Sequence, residues 1–125
     1  MGSVNLLVLV GRAGTDAQLR YRPDGSAQAT FRLATAYFKT SAGRREEKTD
    51  WHEVLVDGEL GYARNDSAKR ASLLVKKGLE IYVEGRLAYR RAYDHRDAPL
   101  KAVVLANRVE AFGGPSSTFQ PEQSQ

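Results

Sequence analysis

The feature that most constrains the fold of this chain is a succession of short segments with β-strand character, separated by turn signals. In the longest of them, Leu79–Tyr93, apolar residues recur at every second position. A period of two is typical of a strand that turns one face to a core. The predicted strands are Val4–Val10, Ala27–Tyr37, Thr49–Val56, Leu79–Tyr93 and Leu100–Phe112.

One segment follows a helical period instead. Between Gly61 and Lys77 the spacing of apolar residues predicts an amphipathic helix, and Gly78 stands where a C-terminal glycine cap belongs. Pro23-Asp24-Gly25 predicts a turn, because Pro fixes φ and Gly accepts a positive φ. The polar segment Ser41–Lys48 is interpreted as an exposed hairpin loop.

The order of these segments predicts an all-β domain. A five-stranded antiparallel barrel with one helix between the third and fourth strands is the layout of the oligonucleotide-binding fold, the OB-fold. We expect residues 1–112 to form this single domain. Residues 113–125 are polar and contain Pro, Ser and Gln, so we expect a disordered tail.

Little in the chain favours catalysis. It has no cysteine, which excludes disulfides and thiolate metal sites, and no phosphate-binding glycine loop. His52 and His95 are too far apart for a metal motif and are interpreted as a structural and a surface residue. The longest apolar run, Leu6–Val10, is far too short to span a membrane. We therefore predict no enzyme activity, no metal site and no membrane association.

Basic and aromatic residues alternate in three places. A net charge of +4 permits a polyanionic partner, and binding of single strands needs cations for phosphate and aromatic faces for bases. Aromatic residues in strands are also common as packing residues, so the joint pattern carries the prediction. The residues of this pattern are Tyr37, Phe38, Lys39, Lys48, Trp51, Arg86, Tyr89, Arg90, Arg91 and Tyr93.

Six segments in order resemble the bacterial and mitochondrial family of single-stranded-DNA-binding proteins, over about Val4 to Gly114. They are residues 9–12 (LVGR), 19–25 (LRYRPDG), 31–35 (FRLAT), 48–54 (KTDWHEV), 75–78 (VKKG) and 81–87 (IYVEGRL). The resemblance implies a homotetramer that wraps single-stranded DNA without sequence preference in replication, repair or recombination. It also implies the absence of a cofactor.

The resemblance also implies roles for single residues. Trp51 matches a stacking tryptophan of the family, and Tyr37 or Phe38 is nearest to a second stacking position. A third such position falls on Ala92, with Tyr93 and Tyr89 as possible substitutes. Basic positions of the family fall on Lys77 and on Arg90 or Arg91. Arg12 and Arg32, which lie within matched segments, complete the predicted DNA-binding set.

Several departures keep other functions open. Glu53, Asp57 and Glu59 are acidic where basic or aromatic residues are common, and they are expected to repel phosphate. The stretch Gly58–Gly78 is longer than usual, and no acidic tail tip of the kind that recruits repair enzymes is present. A primosome-type or RNA-binding OB-fold protein is one alternative, and a protein-interaction barrel is another. The expected compartment is the bacterial cytoplasm, with the mitochondrial matrix as the alternative.

Overall fold

The computed structural model describes residues 2–58, 66–91 and 97–112. In chain order the elements are β1 (Leu7–Ala13), β2 (Gln18–Tyr21), β3 (Ala27–Ser41), β4 (Arg44–Asp57), α1 (Asp66–Leu74), β5 (Glu80–Arg91) and β6 (Leu100–Ala111). The described strands all belong to one sheet of order β1-β5-β6-β4-β3-β2, and β1 also pairs with β3, so the sheet closes on itself. The predicted all-β barrel with one helix is confirmed. The prediction that it is antiparallel throughout was wrong, because β4 pairs with β6 in parallel.

β1 and β2 behave as one strand that is interrupted in the middle. Both run antiparallel to β3, β1 through Arg12 and Ala13 and β2 through its whole length. Between them, the Gly14 amide donates to the Arg32 carbonyl oxygen at 2.8 Å. The predicted count of five strands therefore holds for the barrel, with β1 and β2 as two parts of the first strand.

Two glycines allow the barrel to close. A Cβ on Gly11 would meet the carbonyl oxygen of Ala34 at 2.0 Å, and a Cβ on Gly85 would meet that of Leu105 at 2.1 Å. Backbone therefore packs directly on backbone where β1 crosses β3 and where β5 crosses β6. The predicted bounds of the first strand, Val4–Val10, were wrong at both ends: β1 begins at Leu7 and continues through Gly11 to Ala13, and Gly11 pairs with Ile81.

Alternation along the strands builds the core. In β3, every second residue from Ala27 to Leu33 is buried, and the facing residues of β4, β5 and β6 complete the interior. Ala68 and Ala71 of α1 and the following Val75 pack into the same cluster. Burial of a side chain such as Phe31 contributes about 1.5–3 kcal/mol, so the barrel interior supplies much of the stability.

The segment predicted as a hairpin loop is mostly strand. β3 and β4 stay paired as far as Ser41 and Arg44, and only Ala42 and Gly43 form the turn. Both turn residues have positive φ, 53° and 76°, which is the conformation of a two-residue type I′ turn. Ala42 is an unusual residue for this turn, and the tip therefore lacks the expected sequence signal.

The predicted extent of the helix was also wrong at its end. α1 ends at Leu74 and not at Lys77, so Gly78 is not its immediate cap. After Leu74 the chain leaves the helix to pair with the β1–β2 connection: the Val75 carbonyl accepts from the Ala17 amide, and the Gly78 amide donates to Ala13. Residues 59–65, which include the predicted start of the helix, lie outside the described residues.

Replacement of Ala42 by glycine is expected to stabilise the hairpin. A left-handed conformation costs an L-residue about 1–2 kcal/mol, part of which returns as the larger unfolded-state entropy of glycine. We expect the free energy of unfolding, measured by urea denaturation, to rise by about 0.5–1 kcal/mol. Gly43→Ala is the matched control and should lower the free energy of unfolding by a similar amount, because alanine is strained at a φ of 76°. No steric clash adds to this strain, since the new Cβ meets nothing within 4 Å. Equal stability of the two variants would contradict the assigned turn.

Candidate nucleic-acid interface

A groove runs across the outer face of the sheet. In the β3–β4 ladder, Thr30 lies opposite Leu55, and both point away from the core. Leu55 and Val103 are buried without belonging to the core cluster, so they form an apolar floor on the outside of the barrel. This first compartment has a volume of about 430 Å³ and is lined by Arg20, Gln28, Thr30, Glu53, Leu55, Arg90, Arg91, Lys101 and Val103.

A second compartment of about 320 Å³ contains Trp51. The Trp51 side chain is 51% exposed, and the Arg32 guanidinium carbon lies 4.6 Å from its ring centroid. The ring also reaches across β3 to Gly14, which lies in the connection between β1 and β2. A Cβ on Gly14 would meet Trp51 Cζ3 at 2.4 Å. A cation on an aromatic face and a glycine at its edge hold the ring in place while much of it stays open to solvent.

An ion pair separates the two compartments. Lys101 Nζ lies 3.8 Å from Glu53 Oε1, and both side chains line both compartments. The negative charge of Glu53 is thereby offset by a cation on the neighbouring strand. The groove contains more cationic than anionic side chains along its length.

A second carboxylate lies at the end of β4, beside the first compartment. Asp57 Oδ1 accepts hydrogen bonds from Arg22 Nη2 at 2.9 Å and from Gln28 Nε2 at 2.8 Å. Arg90 Nη2 lies 3.8 Å from Asp57 Oδ2. Burial raises the pKa of Asp57, but the hydrogen bonds from Gln28 and Arg22 and the charges of Arg22 and Arg90 outweigh it, so this pKa lies below the usual value of an aspartate.

The β3–β4 hairpin extends beyond the barrel and carries a second exposed aromatic side chain on the same face. Phe38 lies four residues beyond Ala34, which is opposite Trp51, so Phe38 and Trp51 share a face. The Arg45 guanidinium carbon lies 3.9 Å from the Phe38 ring centroid. This face therefore presents a second pair of a cation and an aromatic ring.

The other predicted binding residues are not all brought to this groove. Tyr37 and Lys48 pair with each other on the opposite face of the hairpin, with Lys39 beside them. Tyr89 faces away from Arg90, and Arg86 lines neither compartment. Arg12 pairs with Ala34, which pairs with Trp51, so the three residues lie in one row across the sheet. Arg12 Nη1, however, donates to the Gly78 carbonyl oxygen at 3.1 Å, near the exposed Lys77. Tyr93, like Ala92 and Glu59, lies outside the described residues.

Sequence reasoning missed several residues of the groove. Arg20 lies on β2, a strand of four residues with too few apolar positions to be recognised. Lys101 lies directly opposite Arg90 in the β5–β6 ladder, so pairing the last two predicted strands as a hairpin could have identified it. The side chains that were missed are Arg20, Gln28, Thr30, Leu55, Lys101 and Val103.

Three further observations concern His52, metal binding and membrane spans. His52 Nε2 lies 2.8 Å from Thr35 Oγ1, which agrees with the interpretation of His52 as a structural residue; His95 lies outside the described residues. In the described part of the chain, no group of three His, Asp or Glu side chains could hold a metal ion. No helix within residues 2–58, 66–91 and 97–112 is long and apolar enough to cross a bilayer.

The family model of the single-strand binding protein family matches residues 4–112. Single-stranded DNA-binding proteins from two strains of Neisseria meningitidis, one of serogroup A and one of serogroup B, are 33% identical to this chain over 115 residues. The alignment covers 90% of this chain and 62% of each relative. The chain thus spans less than two thirds of the length of these relatives.

Solved structures show the same architecture. The Plasmodium falciparum SSB in complex with ssDNA superimposes with a TM-score of 0.71 at 24% identity, covering 90% of this chain and 96% of that one. A deletion mutant of the single-stranded DNA binding protein from Thermus aquaticus gives a TM-score of 0.71 at 27% identity. It covers 90% of this chain and 52% of the Thermus protein. The first of these similarities supports the fold alone.

Proposed function

This chain belongs to the single-strand binding protein family, and from that premise we propose that it binds single-stranded DNA without sequence preference. The observation that carries the proposal is the groove: a half-exposed tryptophan beside an arginine, followed by an apolar floor with cations around it. Stacking contributes about 1–3 kcal/mol per base and is possible for every base. Cations along the groove neutralise phosphates whatever the sequence.

The proposed path of the DNA strand follows the face of the sheet that Trp51 and Phe38 share. One base packs on Trp51 beside Arg32, and its neighbour packs on the Leu55 and Val103 floor, beyond the Glu53–Lys101 ion pair. In the other direction the strand continues along the hairpin to Phe38 and Arg45. Arg90 and Arg91, which line the first compartment, are proposed to contact phosphate there. Where DNA extends outside the groove, we propose further phosphate contacts from Lys39, Lys48, Arg86, Arg12 and Lys77, and further stacking on Tyr37, Tyr89 and Tyr93.

The physiological role that we propose is protection of single-stranded DNA during replication, repair or recombination, by binding and without catalysis. We further propose a homotetramer. Its support is an exposed apolar row at the N-terminal end of the sheet, formed by Val4, Leu6, Val8 and Val10, which range from 48% to 91% exposed. Sedimentation should then give the mass of a tetramer, and a monomer would contradict this assembly. The bacterial relatives favour a bacterial cytoplasm as its compartment.

Titration with a long oligothymidine tests the proposed binding. Trp51 is the single tryptophan of the chain, so its fluorescence reports on the groove. We expect strong quenching, and affinity that falls steeply between about 50 mM and about 200 mM salt as phosphate contacts are screened. Absence of binding and quenching at the lower salt concentration would overturn the proposal in favour of a protein-interaction barrel. Competition with an RNA oligomer of equal length distinguishes DNA from RNA as the partner.

Gly14→Ala is expected to weaken this binding without unfolding the barrel. The added Cβ would collide with Trp51 Cζ3, and the exposed ring can rotate away, so stacking geometry is lost at a small cost in stability. We expect affinity for the oligothymidine to fall about 3- to 10-fold, as part of one stacking contribution. In a Trp51→Ala background, the same substitution should have no further effect. An equal loss in both backgrounds would mean that Gly14 acts in some other way.

A further inference from the structure

The Asp57 carboxylate connects three separate segments of the chain beside the groove. Arg22 reaches it from the turn after β2, Gln28 from β3 and Arg90 from β5. Arg90 is also one of the cations that line the first compartment. One carboxylate thus holds a cation that the proposed function assigns to phosphate.

The two arginines are held unequally. Arg22 donates to Asp57 Oδ1 at 2.9 Å, and its other terminal nitrogen donates to Ser26 Oγ at 3.1 Å. Arg90 approaches Oδ2 only to 3.8 Å, beyond hydrogen-bond distance. Because its side chain is 44% exposed, this contact is a weak surface ion pair. A phosphate that offers Arg90 two short hydrogen bonds would displace the carboxylate.

We propose that Asp57 is an internal counter-anion that limits affinity for nucleic acid, by pairing with Arg90 until a phosphate replaces it. This inference rests on the proposed function. On binding, Arg90 transfers to the phosphate, while Arg22 and Gln28 retain Asp57 at the end of β4. Each complex must therefore first break the pair between Arg90 and Asp57, so it forms at a lower affinity than the count of arginines suggests.

Asp57→Asn separates the charge of this side chain from its hydrogen bonds. Asparagine keeps an Oδ1 acceptor for Arg22 and Gln28 and removes the negative charge. We expect oligothymidine to bind about 3- to 10-fold more tightly at low salt, with a salt slope steeper by about one unit, since one more cation is uncompensated. The measurement is anisotropy of a labelled oligothymidine at several salt concentrations.

Glu110→Gln is the matched control. Glu110 also lies between two arginines, with Arg70 at 3.2 Å and Arg108 at 3.6 Å, and its exposure of 36% is close to the 39% of Asp57. Asp57 pairs with Arg90, which lines the first compartment, whereas the two arginines beside Glu110 line neither compartment. Replacement of Glu110 changes the net charge of the protein equally, so affinity should change less than twofold. Sedimentation and urea unfolding of both variants check assembly and folding.

A double-mutant cycle with Arg90→Ala tests the pairing itself. If Asp57 acts by occupying Arg90, the gain from Asp57→Asn should shrink to less than twofold when Arg90 is absent. An equal gain in both backgrounds would show a general charge effect and overturn the pairing. Unchanged or weaker binding by Asp57→Asn in the otherwise native chain would overturn the inference while leaving the proposed function intact. Failure of the native chain to bind would instead overturn the proposed function.

Discussion

Trp51→Ala is expected to weaken binding of oligothymidine about 5- to 150-fold, the equivalent of about 1–3 kcal/mol for one stacked base. The reason is geometric as well as chemical. Trp51 is the aromatic side chain that the groove itself contains, and Arg32 and Gly14 already hold its ring in an open position. A base can therefore stack without first ordering the side chain. Because this variant has no tryptophan, its affinity is measured by anisotropy of a labelled oligomer.

Two variants separate stacking from a structural effect of Trp51. Trp51→Phe keeps an aromatic face and should recover most of the lost affinity. Tyr21→Ala removes an aromatic side chain of similar exposure, 58%, from β2, outside both compartments, and should leave affinity within about twofold of the native value, as expected for a surface change. If Tyr21→Ala weakened binding as much as Trp51→Ala did, the assignment of the groove would be wrong.

Gly11→Ala is expected to have the largest effect on stability. Its Cβ would lie 2.0 Å from the carbonyl oxygen of Ala34, and this neighbour is backbone, which cannot rotate away. β1 would have to separate from β3 at the point where the barrel closes. We expect the free energy of unfolding to fall by about 3 kcal/mol or more, at the upper end of overpacking effects. Urea unfolding at a fixed protein concentration measures it.

Gly2 supplies the control for this prediction. The same substitution there adds a Cβ that meets nothing within 4 Å, so stability should change by less than about 0.5 kcal/mol. A Gly11→Ala variant as stable as the Gly2→Ala variant would contradict the close approach of β1 and β3. Loss of DNA binding by Gly11→Ala is also expected, because the same crossing positions Gly14 at the edge of the Trp51 ring.

The ion pairs of Glu53 and Asp57 change how these two acidic residues are interpreted. From the sequence, Glu53 and Asp57 were expected to repel phosphate. In the folded chain, Glu53 pairs with Lys101 and Asp57 with Arg22 and Arg90. Each carboxylate therefore offsets nearby cations before any ligand arrives. These ion pairs could not be predicted from the sequence, because the partner residues come from distant segments of the chain.

Some of the site could be predicted and some could not. Trp51 and Arg32 were predicted and lie in one compartment, as Arg90 and Arg91 lie in the other. Tyr37 and Phe38 are neighbours in sequence, and alternation places them on opposite faces. Which of the two shares the face of Trp51 depends on the β3–β4 register, in which Tyr37 pairs with Lys48 and Phe38 with Glu47. The two-residue turn that sets this register contains Ala42, which no turn rule would favour.

The sequence by itself determined the fold and most of its strands, because a period of two directly encodes which side chains face a core. It did not determine β2 or the paired ends of β3 and β4. It also determined the chemistry of the surface, a lone tryptophan among basic residues. The tertiary structure decided the groove. Val103 joins Leu55 as its floor because β6 runs parallel to β4 beside Val54 and Leu55, a contact between segments about fifty residues apart. Local patterns carry no information on such pairings, since they arise only when the barrel closes.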